Sequence, residues 1–256
     1  MHLILTGATG LVGTATLHHL LSAPKVTKLT ILSRRPVPLA ANNPKVTTII
    51  HEDYTSYPPA LLADLEGAQA CIWAQGVSIN DVSKECVFIP REYEKITVDY
   101  PLAAAKAFAG LNNPFTFVYV SGEGAAVTPT RTTPNYGIVK GRAEAALLAL
   151  HASNPSLRPY SARPGYVDGN GHPAQSFMPA KKLWLKGLEV VVGPPLRWFW
   201  TGMVSPAAEL GEVLTGLAVG GGEKFDQAEK GVEEEGRVLG NVWLRKLGAA
   251  KGTGSE

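Results

Sequence analysis

Along this chain, short continuous apolar runs alternate with longer stretches of helical spacing. The runs at 2–7 (HLILTG), 28–34 (KLTILSR), 46–53 (VTTIIHED), 68–76 (AQACIWAQG), 114–124 (PFTFVYVSGEG) and 157–169 (LRPYSARPGYVDG) each read as a strand leading into a loop. Between the first two, residues 10–22 carry Leu11, Val12, Leu17, Leu20 and Leu21 at helical intervals, and Pro24 stops the helix. A second helix is predicted over 91–109, ending at Gly110, with a kink or restart at Pro101. A third covers 133–153, with Thr133 as N-cap and Pro134 as its first residue. Strands that are apolar throughout and alternate with helices predict a parallel sheet covered on both faces. The right-handed crossover rule leaves an α/β doubly wound (Rossmann) sheet as the leading topology.

Past residue 170 the pattern weakens. Residues 205–218 read as a helix with Ser205 as N-cap, Pro206 next and Glu209 in the first turn, and 220–231 read as a glycine-rich loop. The division expected is a dinucleotide-binding domain over 1–170, a small C-terminal substrate region over 171–247 packed on it, and a disordered tail over 248–256.

Composition narrows the function classes. The chain has 256 residues, 45% of them hydrophobic, enough for a sizeable core. A formal net charge of +2, with no basic run, leaves no electrostatic footprint for nucleic acid. The two cysteines, Cys71 and Cys86, have no metal or redox spacing, and Cys71 reads as a core thiol. A spanning helix needs about 20 apolar residues, and no such run is present. The first apolar run is too short for a signal peptide, so a cytoplasmic protein is expected.

The chemistry begins at 6–13, TGATGLVG. It places Gly7, Gly10 and Gly13 at three-residue intervals between a strand and a helix. That context suits a dinucleotide: Gly7 for the tight turn, Gly10 for backbone approach to a pyrophosphate, Gly13 for close helix–strand packing. Thr9, Leu11 and Val12 lie in the same loop and helix start, whose free N–H groups favour an anion. An acidic residue after the second strand would favour NAD; here stand Ser33, Arg34 and Arg35, which suit the 2′-phosphate of NADP(H). Asp53 after the third strand is a candidate for the adenine amino group or an exposed loop carboxylate. Ala74, Gln75 and Gly76 after the fourth stand where the cofactor's ribose would lie. No metal site is predicted.

With TGATGLVG, AQG, YGIVK and RPGYVDG in this order, the chain resembles the short-chain dehydrogenase/reductase superfamily, in its atypical and extended branches. The phrases VDY, VSGEGA, YGIVKGRAEA and ARPGYV are similar to the Tat-interacting-protein-like group, whose members bind NADPH. The resemblance covers residues 1–170 well and the rest weakly. It implies that Tyr136 handles the substrate's proton, and that Lys140, four residues on and on the same helix face, lowers the tyrosine pKa and holds the nicotinamide ribose. It implies that Pro164, Gly165 and Val167 bring backbone to the nicotinamide carboxamide. Pairing of two copies through the helices around 91–109 and 134–152 is also implied.

Two positions depart from that pattern. Ser121 aligns with the first residue of the usual serine pair, and the second position, commonly the catalytic one, is Gly122. The asparagine of the central helix is absent; Thr97, Asp99 and Tyr100 are the candidates to replace it. Two readings therefore stand. One is an NADP-dependent oxidoreductase of a small carbonyl or alcohol, with Tyr136, Lys140 and Ser121 as its catalytic residues. The other is an NADPH-binding sensor with little or no catalysis. The cluster Trp184, Trp198, Phe199 and Trp200 is open between an aromatic substrate pocket, the core of the small region, and an exposed partner or peripheral membrane surface.

Overall fold

In the computed structural model, which describes residues 1–76, 91–180 and 203–252, the first apolar run forms strand β1 (His2–Thr6), buried at every position. It is followed by α1 (Leu11–Ser22), β2 (Lys28–Ser33), β3 (Val46–Ile50), α2 (Pro59–Asp64) and β4 (Ala68–Trp73). Next come α3 (Arg91–Glu94), α4 (Tyr100–Phe108), β5 (Phe115–Val120), α5 (Asn135–Ser153) and β6 (Leu157–Arg163). The described chain closes with β7 (Tyr166–Asp168), β8 (Val204–Pro206), α6 (Ala207–Val219), β9 (Val232–Glu233), β10 (Val238–Gly240) and α7 (Asn241–Gly252).

The main sheet has the order β3-β2-β1-β4-β5-β6-β10-β9. Its pairs are parallel except β10 with β9. This is the doubly wound arrangement, and the reversal of strand order lies between β1 and β4. Alternate residues of each strand feed opposite faces. Leu3 and Leu5 pack with Leu17, Leu20, Leu210 and Leu214 on the α1/α6 side. Ile4 packs with Cys71, Trp73, Phe108, Phe117 and Leu147 on the other. Both faces of the inner strands are covered, which is why β1, β2, β4, β5 and β6 read as mostly apolar runs, while the edge strand β3 has no fully buried residue. Among the described residues, no helix is long and apolar enough to cross a membrane.

The segment 91–109 is not one helix. Lys95–Asp99 form a π-helical turn, and the α-helix restarts at Tyr100 with Pro101 in its first turn. Pro101 has no N–H to give the carbonyl four residues back, at Thr97. That carbonyl instead accepts the hydroxyl of Tyr119, at 3.1 Å. The expected caps of two helices are also corrected. Pro134 occupies the cap position of α5, and Thr133 accepts the N–H of Thr130 at 2.9 Å. Ser205 lies in β8, and Pro206 takes the cap position of α6.

The C-terminal part differs most from expectation. Helix α6 packs on α1 so closely that a Cβ on Gly211 would stand 2.7 Å from the carbonyl oxygen of Ala15. Strand β10 extends the main sheet beside β6. Strand β10 and helices α6 and α7 thus pack on the same sheet and core as the first 170 residues. The tail expected to be disordered from residue 248 continues α7 through Gly252.

Candidate functional site

The loops after β1 and β4 meet at the switch point, and the glycines explain how closely. Gly7 has φ +70°, and a Cβ there would lie 2.3 Å from the carbonyl oxygen of Ala74. A Cβ on Gly13 would lie 1.9 Å from the carbonyl oxygen of Gly7. Gly10 N–H closes the turn on Gly7 O at 2.9 Å, and Gly10 is the N-cap of α1. No side chain caps this helix, and no acidic residue sits in its first turn. Its N-terminal N–H groups and partial positive charge are therefore free to face an anion. A cleft of about 400 Å³ opens here, lined by Gly7, Thr9, Gly10, Ser33, Arg34, Arg35, Tyr54, Ala74, Gln75, Gly76 and Pro179. Leu11 and Val12, half-buried in the first turn of α1, and the buried Gly13 lie outside that lining.

At the far wall, Ser33 folds the arginine turn: its hydroxyl donates to the carbonyl of Arg35 at 2.7 Å. Arg35 donates to the Thr9 hydroxyl through Nε at 3.3 Å and Nη2 at 3.1 Å, joining the second loop to the glycine loop. Arg34 is exposed and makes no hydrogen bond or ion pair among the described residues. Asp53 is exposed in the loop after β3, as the second of its two readings has it. Its carboxylate accepts the N–H and hydroxyl of Thr55, at 3.0 and 2.5 Å. The Thr55 hydroxyl and N–H hold its pKa below the usual carboxylate value. The next residue, Tyr54, forms part of the cleft wall instead, with its hydroxyl on the carbonyl of Leu32 at 3.0 Å.

Tyr136 and Lys140 lie one turn apart on α5 and grip the two ends of one short loop. Lys140 Nζ donates to the carbonyl of Ser121 at 2.7 Å; the Tyr136 hydroxyl donates to the carbonyl of Glu123 at 3.1 Å. Glycines in the same motif permit this contact. A Cβ on Gly137 would stand 2.1 Å from Gly124 O, and one on Gly141 1.8 Å from Ala126 O. Gly124, with φ +85°, leaves room for the Tyr136 hydroxyl, which a Cβ there would approach to 2.7 Å. Burial pushes the Lys140 ammonium down to about 8, against the opposing pull of Glu144. The Ser121 hydroxyl is buried and has no hydrogen-bond partner among the described residues. Neither Tyr136 nor Lys140 belongs to the lining of the cleft.

The Pro164–Gly165 turn is engaged within the protein. Pro164 O accepts the N–H of Glu123 at 2.8 Å, and Gly165 N–H donates to the Ser205 hydroxyl at 3.0 Å. Val167 is half-buried in β7. Of the central-helix candidates, Thr97 is buried, Tyr100 half-buried and Asp99 exposed. Cys71 is buried in the core, where desolvation raises its thiol pKa. Cys86 and the cluster Trp184, Trp198, Phe199 and Trp200 lie outside the described residues.

The sequence reading missed Glu144 and Arg163. Glu144 is fully buried one turn beyond Lys140, and Arg163 grips its carboxylate through Nε at 3.0 Å and Nη2 at 2.6 Å. Arg163 also donates to Glu233 at 2.7 Å. The signal was the i, i+4 spacing of Lys140 and Glu144, which puts both on one face.

The mostly parallel eight-stranded sheet with helices on both faces and a glycine loop after its first strand is a Rossmann-like α/β fold. No family model matches the chain. Leucinostatins biosynthesis cluster protein T of Purpureocillium lilacinum is 37% identical over 280 aligned positions, covering 100% of this chain and 98% of that protein. The chain belongs to the same family as that protein. Botcinic acid biosynthesis cluster B protein 16 of Botryotinia fuckeliana is 38% identical over 153 positions, covering 57% of this chain and 96% of that protein. Among solved structures, the Bordetella bronchiseptica enzyme WbmF in complex with NAD+ shares the fold, with a TM-score of 0.63, 16% identity, and coverage of 100% of this chain and 79% of that one.

Proposed function

We propose that the protein is an NADP(H)-dependent oxidoreductase acting on a small carbonyl or alcohol, with Tyr136, Lys140 and Ser121 as its catalytic residues. The observation that carries this reading is the convergence of Tyr136 and Lys140 on the loop Ser121–Glu123. That loop follows β5, the neighbour of β4, at the carboxyl edge of the sheet, where ligands of open α/β sheets bind.

The cleft fits a dinucleotide. Gly7 and Gly10 bring backbone to the surface without side chains, and the uncapped start of α1 offers N–H groups to a pyrophosphate. Arg34, unengaged at the rim, suits a 2′-phosphate. Ala74, Gln75 and Gly76 would border a ribose. NADP(H), when bound, gives or takes a hydride. Tyr136 would supply the proton to a carbonyl oxygen, or remove it from an alcohol. A free tyrosine, with a pKa of about 10, is a poor base at neutral pH. The Lys140 ammonium, on the same helix face, favours the phenolate. Ser121 has a buried hydroxyl with no partner of its own, which suits an orienting role. The two relatives named for biosynthetic clusters support a substrate that is an intermediate of such a cluster.

Gly122, which lacks the usual hydroxyl, favours the sensor reading. Calorimetric titration with NADPH and NADH, followed by a screen of carbonyl compounds, separates the two. Tight NADPH binding with turnover supports the enzyme. Tight binding without turnover of any compound supports the sensor. Binding of neither cofactor overturns both.

A further inference from the structure

Glu123 stands where several chain segments meet. Its N–H donates to the carbonyl of Pro164 at 2.8 Å, and its own carbonyl accepts the Tyr136 hydroxyl at 3.1 Å. Its carboxylate accepts the N–H of Asn241, the first residue of α7, at 3.2 Å. The side-chain oxygen of Asn241 accepts the Ser205 hydroxyl at 2.5 Å. The Ser205 oxygen in turn accepts the N–H of Gly165 at 3.0 Å. Pro164 and Gly165 are consecutive, so the path closes: Glu123, Asn241, Ser205, Gly165, Pro164 and back to Glu123. Ser205 and Asn241 are buried, at 3% and 2% exposure.

The residue types follow from the distances to be spanned. Strand β10 lies beyond β6 as seen from β5, so a group reaching Asn241 from the β5 loop must cross the end of β6. Glutamate has the length and the acceptor; serine or alanine does not. At Gly165, a Cβ would stand 2.2 Å from the carbonyl oxygen of Met203, so only glycine lets β8 come near enough for Ser205 to reach its N–H. Such a ring resists rotation of any one member, because moving one breaks a bond to the next.

We propose that Glu123 is a positioning residue for Tyr136, acting through this closed ring. The ring sets the Tyr136 hydroxyl and the Pro164–Gly165 turn relative to each other. The inference rests on the reading of Tyr136 as the proton-handling residue. A purely structural role for Glu123, as a cap on α7, predicts a stability change alone.

The test uses the full chain loaded with NADPH and labelled with 3-fluorotyrosine. The Tyr136 fluorine signal is assigned by its loss in Tyr136→Phe. Glu123→Ala and Ser205→Ala should each move that signal. NADPH affinity should stay within about threefold, because the glycine loop holds the cofactor. Glu123→Gln, which keeps an acceptor oxygen, and Ser205→Thr, which keeps the hydroxyl, should restore the wild-type signal. With 9,10-phenanthrenequinone as carbonyl probe, kcat should fall roughly 10- to 100-fold in the alanine variants at little changed KM, the scale of a misplaced reacting group. An unmoved Tyr136 signal in Glu123→Ala overturns the proposal. If that variant does not fold, Ser205→Ala decides by the same signal. The fluorine signal decides the ring whether or not the quinone is reduced, and turnover decides the role of Tyr136 by itself, so the two claims fail separately.

Discussion

The Lys140 ammonium donates a 2.7 Å hydrogen bond to the carbonyl oxygen of Ser121, and burial holds its pKa down to about 8. The folded value lies below that of the unfolded chain, so between about 8 and 10.5 the unfolded chain keeps the proton and the folded one releases it. Stability gains from this group as pH rises through that window. Carbon-13 NMR of labelled lysines should show one residue titrating near 8, missing in Lys140→Met. A Lys140 midpoint at the ordinary 10.5 would contradict this placement.

Glu144 sits between two cations. Its carboxylate is gripped by Arg163 and opposes the lowering of the Lys140 pKa. Glu144→Gln should leave the buried guanidinium with the exposed Glu233 as its remaining charge partner and cost up to about 3–5 kcal/mol. It should also move the Lys140 midpoint further down. Denaturant unfolding and the same NMR titration check both. An unchanged midpoint would mean that Glu144 serves Arg163 alone.

The two arginines after β2 are not equivalent. Arg35 is tied to Thr9, whereas Arg34 is exposed and unengaged among the described residues. Arg34→Ala should weaken NADPH binding by about 1.5–3 kcal/mol, the worth of a hydrogen bond to a charged group, and leave NADH binding nearly unchanged. Arg35→Ala should weaken both cofactors, because it loosens the glycine loop. Equal losses for NADPH and NADH in Arg34→Ala would refute a 2′-phosphate contact at that residue.

Glycines in the motif separate into those with room and those without. A Cβ on Gly122 would meet the Lys140 side chain only at 3.6–3.7 Å, ordinary contact. Gly122→Ser should therefore fold with stability within about 0.5 kcal/mol of wild type. It should raise turnover, up to the 10²–10³ that one oxygen-orienting donor is worth. Gly141→Ala should not fold normally, since its Cβ would stand 1.8 Å from Ala126 O. Circular dichroism, unfolding and turnover assays test both substitutions.

The sheet was legible because β1, β2, β4, β5 and β6 are largely buried on both faces and so appear as mostly apolar runs. The glycine loop was legible because glycine spacing encodes backbone contacts directly, as at Gly7 and Gly13. The short pair β9 and β10 was not, since two- and three-residue strands carry too little periodicity to register. The π-helical turn was half legible: Pro101 announced the interruption, but Tyr119, the donor that takes over the Thr97 carbonyl, comes from a distant strand. Ser205 looked like a cap by local rules and is instead a tertiary contact to Gly165. Asp53 was legible as an exposed loop carboxylate, but its local contact with Thr55 two residues on was not. The partnership of Glu144 with Arg163 joins residues 19 apart, beyond any local pattern.

The central claim is that Tyr136 handles the proton. Its most direct test compares wild type and Tyr136→Phe for NADPH affinity and for NADPH oxidation with a carbonyl substrate found by screening. The account predicts that the variant binds NADPH within about twofold of wild type and loses 10²–10⁴-fold in turnover, the usual worth of a positioned general acid. Full turnover in Tyr136→Phe would contradict it.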